Sequence, residues 1–423
     1  MCGRRAFFKR PDRTQGSRSV CLIGSSPPGP RVVHLGKYYP PSAGGIETHT
    51  QALARAQSEL GADVRVVVVN HSPAPGHDAV FEAFRRTPDS VDSDGPVRVY
   101  RVGRWANIAK LDVTPSLPKL LRRVLRDPPD VWHMHAPNVT MMLAVLGCPR
   151  IRPLVITHHS DIVRQRVLRH AVRPLELAVY GRAAKLLSDS PPYVGGSDLL
   201  TRFRDKVDSL PLGIDLEPFR RPSAAATAYA DRLRTRYPGP IWASVGRLIY
   251  YKALPVAFRA LRDVPGTLLI GGTGPMGQPW REAAAQAGVA DRVVWLDRIS
   301  AEELVGLYHA ATALWFPSNA RSEGFGLVQV EAMAAGCPVI NTAIPHSGVS
   351  WVCRDGVAGL TVPVDDPAAF AAAANRLLTE RGLRDRLSAG ARREAAERFD
   401  HRVMAGRSLD IYRDVLADRG KGS

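Results

Sequence analysis

From Arg31 onward, short apolar runs alternate with longer stretches of helical periodicity. RVVHLG predicts a strand, YYPPSAGG a loop, and IETHTQALARAQSELG a helix. In that helix Ile46, Leu53 and Leu60 fall at seven-residue intervals on one face, and Gly61 suits the C′ position. ADVRVVVVN follows as a strand apolar along its length, completing a βαβ unit of a parallel sheet. The rhythm continues through VWHMHAP (131–137), PLVITHHSD (153–161) and LELAVYGRAAKLLSDS, a helix running into a strand. PLGIDLEPF breaks it at Pro211 and Gly213. A second series starts at IWASVGR (241–247) and runs through TLLIGGTGP (267–275), RVVWLDR (292–298), ATALWFPS (311–318) and PVINT (338–342). The pattern predicts an α/β fold of two Rossmann-like, doubly wound units. Polar clusters sit at the strand ends, where such sheets bind ligands.

Length and composition refine this picture. At 423 residues and 45% hydrophobic content, two or three well-cored domains are expected. Residues 1–29 are rich in Arg, Pro, Gly and Ser without periodicity, and read as a disordered tail or as residues upstream of the true start. They lack the apolar core of a secretory signal. No apolar run is long enough to span a membrane. Cys2, Cys21, Cys148, Cys337 and Cys353 are scattered, which fits reduced thiols in the cytoplasm. The net charge of +17 calls for an anionic partner or reflects general use of Arg as a solubilising residue. The basic stretches lack interleaved aromatics for base stacking, so no nucleic acid is expected.

The chemistry concentrates in RSEGFGLVQVEAMAAGCPVINT (321–342), where Glu323 and Glu331 bracket a glycine loop and a helix starting near Leu327. The free N–H groups and dipole of a helix start form an anion site. Glycines let a phosphate approach the backbone. A carboxylate on either side suits a ligand with hydroxyls flanking a phosphate, as in a nucleotide sugar. The bland alternative is one Glu favouring the dipole and a second merely solvated. VGRLIYYK adds Arg247 at a strand end and Lys252 five residues on, two cations able to grip a diphosphate. IGGTGPM, with Gly272, is a glycine-rich βα turn fit for close ligand approach, and SAGGIE offers Gly44 and Gly45 as a second backbone cradle. Four histidines, His133, His135, His158 and His159, invite a zinc reading. No third-ligand spacing or acidic helper accompanies them, so no metal and no other cofactor is expected.

Taken together, GGIETH, HMHAPN, PLGID, VGRLIYYK, GGTGP and SEGFGLVQVEAMAAGCPVI resemble the retaining glycosyltransferase family 4, with its GT-B fold. The resemblance covers about residues 31–415. It implies that Glu323 contacts donor-sugar hydroxyls and Glu331 the ribose. Arg247 and Lys252 would bind the diphosphate and offset leaving-group charge. Gly324, Phe325 and Gly326 would line the sugar pocket, and the N–H groups of Leu327 and Val328 would cap the phosphate. Gly44 and Gly45 would approach the phosphates, His135 would lie near the anomeric carbon, and Ile299 near the base. Ala253 and Asp297 depart from the pattern, since glycine is common at both positions.

THHSDIVRQRVLRH (157–170) and FRDKVDSLPLGID (203–215) resemble bacterial O-antigen and capsule mannosyl- and rhamnosyltransferases that use GDP-sugars. The basic stretches over 116–127 and 163–173 suggest a first domain that faces the inner membrane and receives a polyprenyl-diphosphate-linked glycan acceptor; His159, Asp161 and Arg164 are either acceptor-side residues or core residues. Alternatives are a UDP-sugar-dependent transferase, a sugar-nucleotide epimerase or glycogen-synthase-like polymerase, and an inactive GT-B protein binding anionic polymers. SLPKLLRRVLRD (116–127) is a basic amphipathic helix that either meets an anionic membrane or packs its leucines on the sheet. The expected localisation is cytoplasmic, peripheral on the inner face of the plasma membrane. The expected organisation is an acceptor domain over 30–213, a donor domain over 214–398, and a helix from 399 crossing back to the first domain.

Overall fold

The computed structural model describes residues 29–42, 44–71, 86–108, 111–161 and 166–421. Residues 1–28 and Arg164 lie outside them. In chain order, the first half contains β1 (Arg31–Leu35), β2 (Asp63–Val69), β3 (Ser90–Asp94), β4 (Val97–Val102), β5 (Ala106–Ile108) and β6 (Leu111–Val113). It continues with β7 (Val131–Ala136), β8 (Leu154–His158), β9 (Lys185–Ser188) and β10 (Val207–Ser209). Eight of these form one sheet in the order β10-β9-β8-β7-β1-β2-β4-β3, while β5 and β6 pair as a separate hairpin. Within the eight-stranded sheet, neighbouring strands run parallel except β3 against β4.

The second half contains β11 (Ile241–Val245), β12 (Thr267–Gly271), β13 (Val293–Asp297), β14 (Ala313–Phe316), β15 (Val339–Thr342) and β16 (Gly359–Val362). They form a six-stranded parallel sheet in the order β13-β12-β11-β14-β15-β16. Both sheets are of the α/β parallel kind that the alternation predicts. The strand stretch Val66–Val69 is a continuous buried apolar run, as a parallel sheet covered on both faces requires. The antiparallel β3 escapes the pattern: SVDSD is a partly exposed, polar edge strand held by its partner.

Each sheet has a point where strand order reverses, and a crevice opens there at the C-terminal ends. In the first sheet it lies between β1 and β7, and in the second between β11 and β14. His135 stands near the end of β7, Arg247 and Lys252 follow β11, and Glu323 follows β14.

The helix Gly45–Glu59 departs from its expected face. Leu60 is exposed, and the buried stripe is His49, Thr50, Leu53, Ala54, Ala56 and Gln57. The helix packs against the final helix, His401–Lys421, which supplies partners for the buried Gln57. Gln57 Nε2 donates to Ser408 Oγ (2.8 Å) and Tyr412 Oη (3.0 Å). Met404, Leu409 and Tyr412 share a core with Val32, Leu53 and Val64. The chain passes between the two halves twice, at Ile214 and at Asp400, and the crossings run side by side. Ile214 N–H donates to Phe399 O and His401 N–H to Ile214 O, both at 3.0 Å.

Among the described residues no helix is long and apolar enough to cross a membrane. In the helix Leu117–Val124 the leucine stripe packs inward: Leu117, Leu121 and Val124 are buried while Lys119, Arg122 and Arg123 are exposed. The apolar face therefore turns toward the domain, where Leu117 and Leu121 also line a groove, and the basic face meets solvent.

Candidate active site

The loops leaving β11 and β14 line the second sheet's crevice. After β11 the chain turns through Gly246 and Arg247 into a 3₁₀ turn, Tyr250–Lys252. After β14 it runs through Ser318 and Asn319 to Glu323 and the glycine loop. Asn319 N–H donates to Tyr251 O at 3.0 Å, which ties the two loops together. Lys252 and Glu323 consequently meet: Nζ lies 2.6 Å from Glu323 Oε2, with both side chains largely buried. Ser318 Oγ donates to the same oxygen at 3.3 Å. The ammonium also sits over the Phe316 ring, 4.5 Å from its centroid. Lys252 is thus a fixed positive charge in a partly desolvated place, where electrostatics act strongly. Arg247 is exposed and has no ion-pair partner among the described residues. Its guanidinium is free to meet an incoming anion.

The helix Leu327–Ala335 starts at Gly326, in left-handed geometry (φ 77°), with no side chain capping it. Glycine is required at this point, because a Cβ there would lie 2.8 Å from Phe316 Cζ. The first N–H groups of the helix, Leu327 and Val328, are left for a ligand. Phe325 turns its side chain into the core, so its backbone is what remains to edge the expected sugar pocket. Its ring is 4% exposed and packs edge-on against Phe399 at 5.6 Å. The side chain is a core element, because an aromatic ring gains more from burial than from edging a polar pocket.

Glu331 lies one turn into the helix and accepts from Tyr308 Oη at 2.8 Å. Burial pushes its carboxyl above the usual range, against the pull of Tyr308 and Lys252. A raised carboxyl costs the unliganded fold stability at neutral pH, and protonation on acidification relieves that cost. Glu331→Gln is therefore expected to leave the unliganded melting midpoint unchanged or higher. It should also weaken nucleotide-sugar binding at least about tenfold, the scale of one lost charge-assisted hydrogen bond. The wild-type affinity should decline on acidification at a pH above the ordinary carboxylate range. Calorimetric titration at several pH values, beside a thermal melt, checks both.

The glycine turn after β12 joins two loops. A Cβ on Gly272 (φ 128°) would sit 2.0 Å from Gly246 O, so glycine there lets two loops touch. Leu248 N–H to Thr273 O (2.9 Å) and Met276 N–H to Leu248 O (3.0 Å) complete that junction. Gly272 thereby positions the Arg247 turn from behind. Ile299 is partly buried and packs toward Gly271. The two family departures share one feature: Ala253 (φ 48°) and Asp297 (φ 50°) both hold left-handed backbone. Glycine adopts that geometry without penalty, whereas alanine pays about 1 kcal/mol. Ala253→Gly is expected to raise the thermal midpoint by about 1–2 °C, after allowing for the freer unfolded chain. A lowered midpoint in a scanning melt contradicts it.

On the facing side, His135 closes β7 and is 1% exposed. The strand pairing sets His34 of β1 beside His133, and the rings of His34, His49, His133, His135 and His159 gather into one cluster. Sequence reading missed His34 and His49. Their signal was present, since each lies in an element aimed at the same strand ends, but only pairing brings them together. Burial lowers the His34 imidazole to about 4 and holds His49, His133 and His135 well below the ordinary range. These rings are neutral at physiological pH.

The two halves touch through the donor loop. A Cβ on Gly324 would lie 3.4 Å from the Tyr193 ring and 3.8 Å from His159 O. Arg321 bridges the same seam, with Nη1 2.7 Å from Asp161 Oδ2 and its guanidinium 4.1 Å from the Tyr193 centroid. Asp161, an acceptor-side candidate, anchors this latch, with Ser197 Oγ at 2.7 Å and His158 Nε2 at 3.2 Å. Burial opposes its ionisation, but His158, Ser197 and Arg321 prevail and hold its carboxyl well below the usual range. The latch is thus intact from above the ordinary carboxylate range and is lost only in strong acid. Gly44 and Gly45 open their helix without a side-chain cap, and space beside Gly45 is empty.

Comparison with known proteins agrees with this geometry. Residues 43–218 match the family model "Glycosyltransferase Family 4", and residues 230–394 match "Glycosyl transferases group 1". D-rhamnosyltransferase WbpZ of Pseudomonas aeruginosa is 31% identical over 341 residues, covering 80% of this chain and 84% of the relative. The chain is a family 4 glycosyltransferase. O-antigen chain mannosyltransferase C of Escherichia coli is 27% identical over 396 residues, 92% of this glycosyltransferase and all of that one. The fold resembles sucrose-phosphate synthase from Thermosynechococcus elongatus, with TM-score 0.70 and 22% identity over 92% of this chain and 100% of that one. Its two facing α/β halves make this glycosyltransferase a GT-B protein.

Proposed function

We propose that this glycosyltransferase transfers mannose or rhamnose from a GDP-sugar, with retention, to a polyprenyl-linked glycan acceptor during O-antigen or capsule assembly. The observation carrying the donor half is the convergence of Lys252, Glu323 and the uncapped helix at Leu327 on one switch point. As the glycosidic bond breaks, negative charge grows on the departing diphosphate while the sugar becomes oxocarbenium-like. Lys252, Arg247 and the helix N–H groups meet that charge, and preorganised dipoles of this kind usually supply the largest share of catalysis. With these groups on the diphosphate, no metal is required there. Glu323 keeps Lys252 on Oε2 and offers its other oxygen to donor-sugar hydroxyls, and Glu331 takes the ribose.

The sugar and acceptor classes follow the rhamnosyl- and O-antigen mannosyltransferase relatives. An apolar groove of about 520 Å³ supports a lipid-linked acceptor. Leu111, Leu117, Leu121, Leu143 and Arg122 line it. Leu143 on its rim and Ile108, paired with Leu111 across the β5–β6 hairpin, are exposed hydrophobics beside the basic face of the helix Leu117–Val124. That combination suits an anionic membrane surface on the cytoplasmic side.

The test offers labelled GDP-mannose, GDP-rhamnose and UDP-sugars with a lipid extract on anionic vesicles. Transfer from a GDP-sugar into the vesicle-bound fraction is expected. GDP is expected to raise the melting midpoint more than UDP at equal concentration. Turnover confined to UDP-sugars defeats the donor reading. A free epimerised nucleotide sugar, or oligonucleotide binding without turnover, defeats the transferase reading for this acceptor altogether.

A further inference from the structure

The histidine cluster at the switch point of the first sheet holds a proton arrangement that its neighbours dictate. Ser408 Oγ must donate to Ala405 O (2.7 Å), since a carbonyl only accepts. Ser408 therefore accepts from Gln57 Nε2, which turns Gln57 Oε1 toward His34 Nε2 at 2.8 Å. His34 Nε2 carries a proton and donates it there. Its Nδ1 is left as an acceptor, and His135 Nε2 donates to it at 3.0 Å. Neutral His135 then shows a bare lone pair on Nδ1.

On the other side, His159 Nδ1 faces Asp189 Oδ1 at 3.4 Å, and that oxygen has no hydrogen-bond partner among the described residues. A proton on Nδ1 answers the carboxylate and leaves Nε2 bare. His159 Nε2 and His135 Nδ1 stand 3.2 Å apart. Two lone pairs facing each other at that distance repel unless a cation stands between them. Beside them is His49, 2% exposed, with neither ring nitrogen partnered among the described residues. One nitrogen of each of His49, His135 and His159 lies within 4.8 Å of the others.

We propose that His49, His135 and His159 form a binding site for a divalent transition-metal ion of the Zn²⁺ class. Two imidazole nitrogens on a tetrahedral zinc stand about 3.3 Å apart, which matches the His135–His159 separation. A small rotation of the unattached His49 ring completes three ligands and leaves a fourth position open. The outer groups have the arrangement that orients metal-bound histidines: His34 behind His135, and the Asp189 carboxylate behind His159. Three imidazole nitrogens favour Zn²⁺ and its neighbours over Mg²⁺ or Ca²⁺, which take oxygen ligands. The other nearby trio, His34, His133 and His135, does not offer a set. Both His133 nitrogens are occupied, by Tyr412 Oη (2.6 Å) and Thr157 Oγ1 (2.7 Å). The site is separate from the diphosphate cations on the second sheet. An ion bound there ties up His135, the residue nearest the expected anomeric position.

The rival explanation of the close nitrogen pair is a shared proton, with His159 an imidazolium. Titration of the full chain with Zn²⁺ against a chromophoric chelator separates the two, with Co²⁺ absorption as a report of coordination. One ion per chain and a tetrahedral Co²⁺ spectrum are expected. His49→Ala should weaken Zn²⁺ binding at least about tenfold and abolish that spectrum. Asp189→Asn, acting through His159, should weaken it about 10–100-fold, whereas His133→Gln should leave it unchanged. No stoichiometric binding, or wild-type affinity in a folded His49→Ala chain, overturns the proposal. Should His49→Ala fail to fold, wild-type affinity in Asp189→Asn overturns it instead. These readouts need no donor or acceptor, so their failure is distinct from failure of the transferase reading.

Discussion

Replacing Glu323 by glutamine is expected to lower kcat/KM for glycosyl transfer by about 10³-fold while leaving the fold intact. The carboxylate is 8% exposed and holds Lys252 at 2.6 Å, with Ser318 as its second partner. Glutamine keeps the shape and accepts from Ser318, but carries no charge to set Lys252 in place. It also has no charged oxygen left to accept strongly from sugar hydroxyls. The loss should appear mainly in kcat, since the contact to the sugar strengthens as positive charge develops on it. Glu323→Ala should be at least as inactive. Steady-state kinetics beside a circular dichroism spectrum test this, and turnover equal to wild type removes Glu323 from the mechanism.

The second large effect is expected at Lys252. Lys252→Met should reduce kcat by about 10²–10³-fold, because in the proposed reaction it deletes the preorganised charge that meets the leaving diphosphate. Arg247→Met should cost less in kcat and more in KM. Arg247 is solvated and must be ordered by the ligand, whereas Lys252 is already fixed by Glu323 and the Phe316 ring. Lys252→Met also strands the Glu323 carboxylate in a mostly buried place, at a stability cost of about 1–3 kcal/mol. Restoring balance with Glu323→Gln in the same chain should recover the melting midpoint without recovering activity. A double variant no more stable than Lys252→Met alone contradicts the pairing.

Both effects depend on a contact between residues 71 positions apart in sequence, and they separate two kinds of legibility. The alternation of apolar runs and helical periods was enough for two parallel α/β sheets, because burial on both faces leaves a compositional mark on every central strand. The edge strands β3, β5 and β6 left no such mark. Glu323, Glu331, Arg247 and Lys252 were readable as a set because glycine loops at strand ends are local features. Phe325 and Gly272 were readable as positions, while their packing against Phe399 and the Gly246 loop was not. A residue in a glycine loop looks the same in sequence whether it faces a ligand, the core or another loop.

By itself, then, the chain's order of residues determined the architecture and the family, and singled out the carboxylates and cations expected on the donor side. These follow from periodicity and from short-range spacing, which one-dimensional order preserves. Only the tertiary structure decided that Lys252 rests on Glu323, that Asp161 latches onto Arg321, and that His49 and His34 join His135. Each of those depends on which strands lie side by side and on how two halves meet. Such contacts are fixed by packing between distant segments, and no local pattern encodes them.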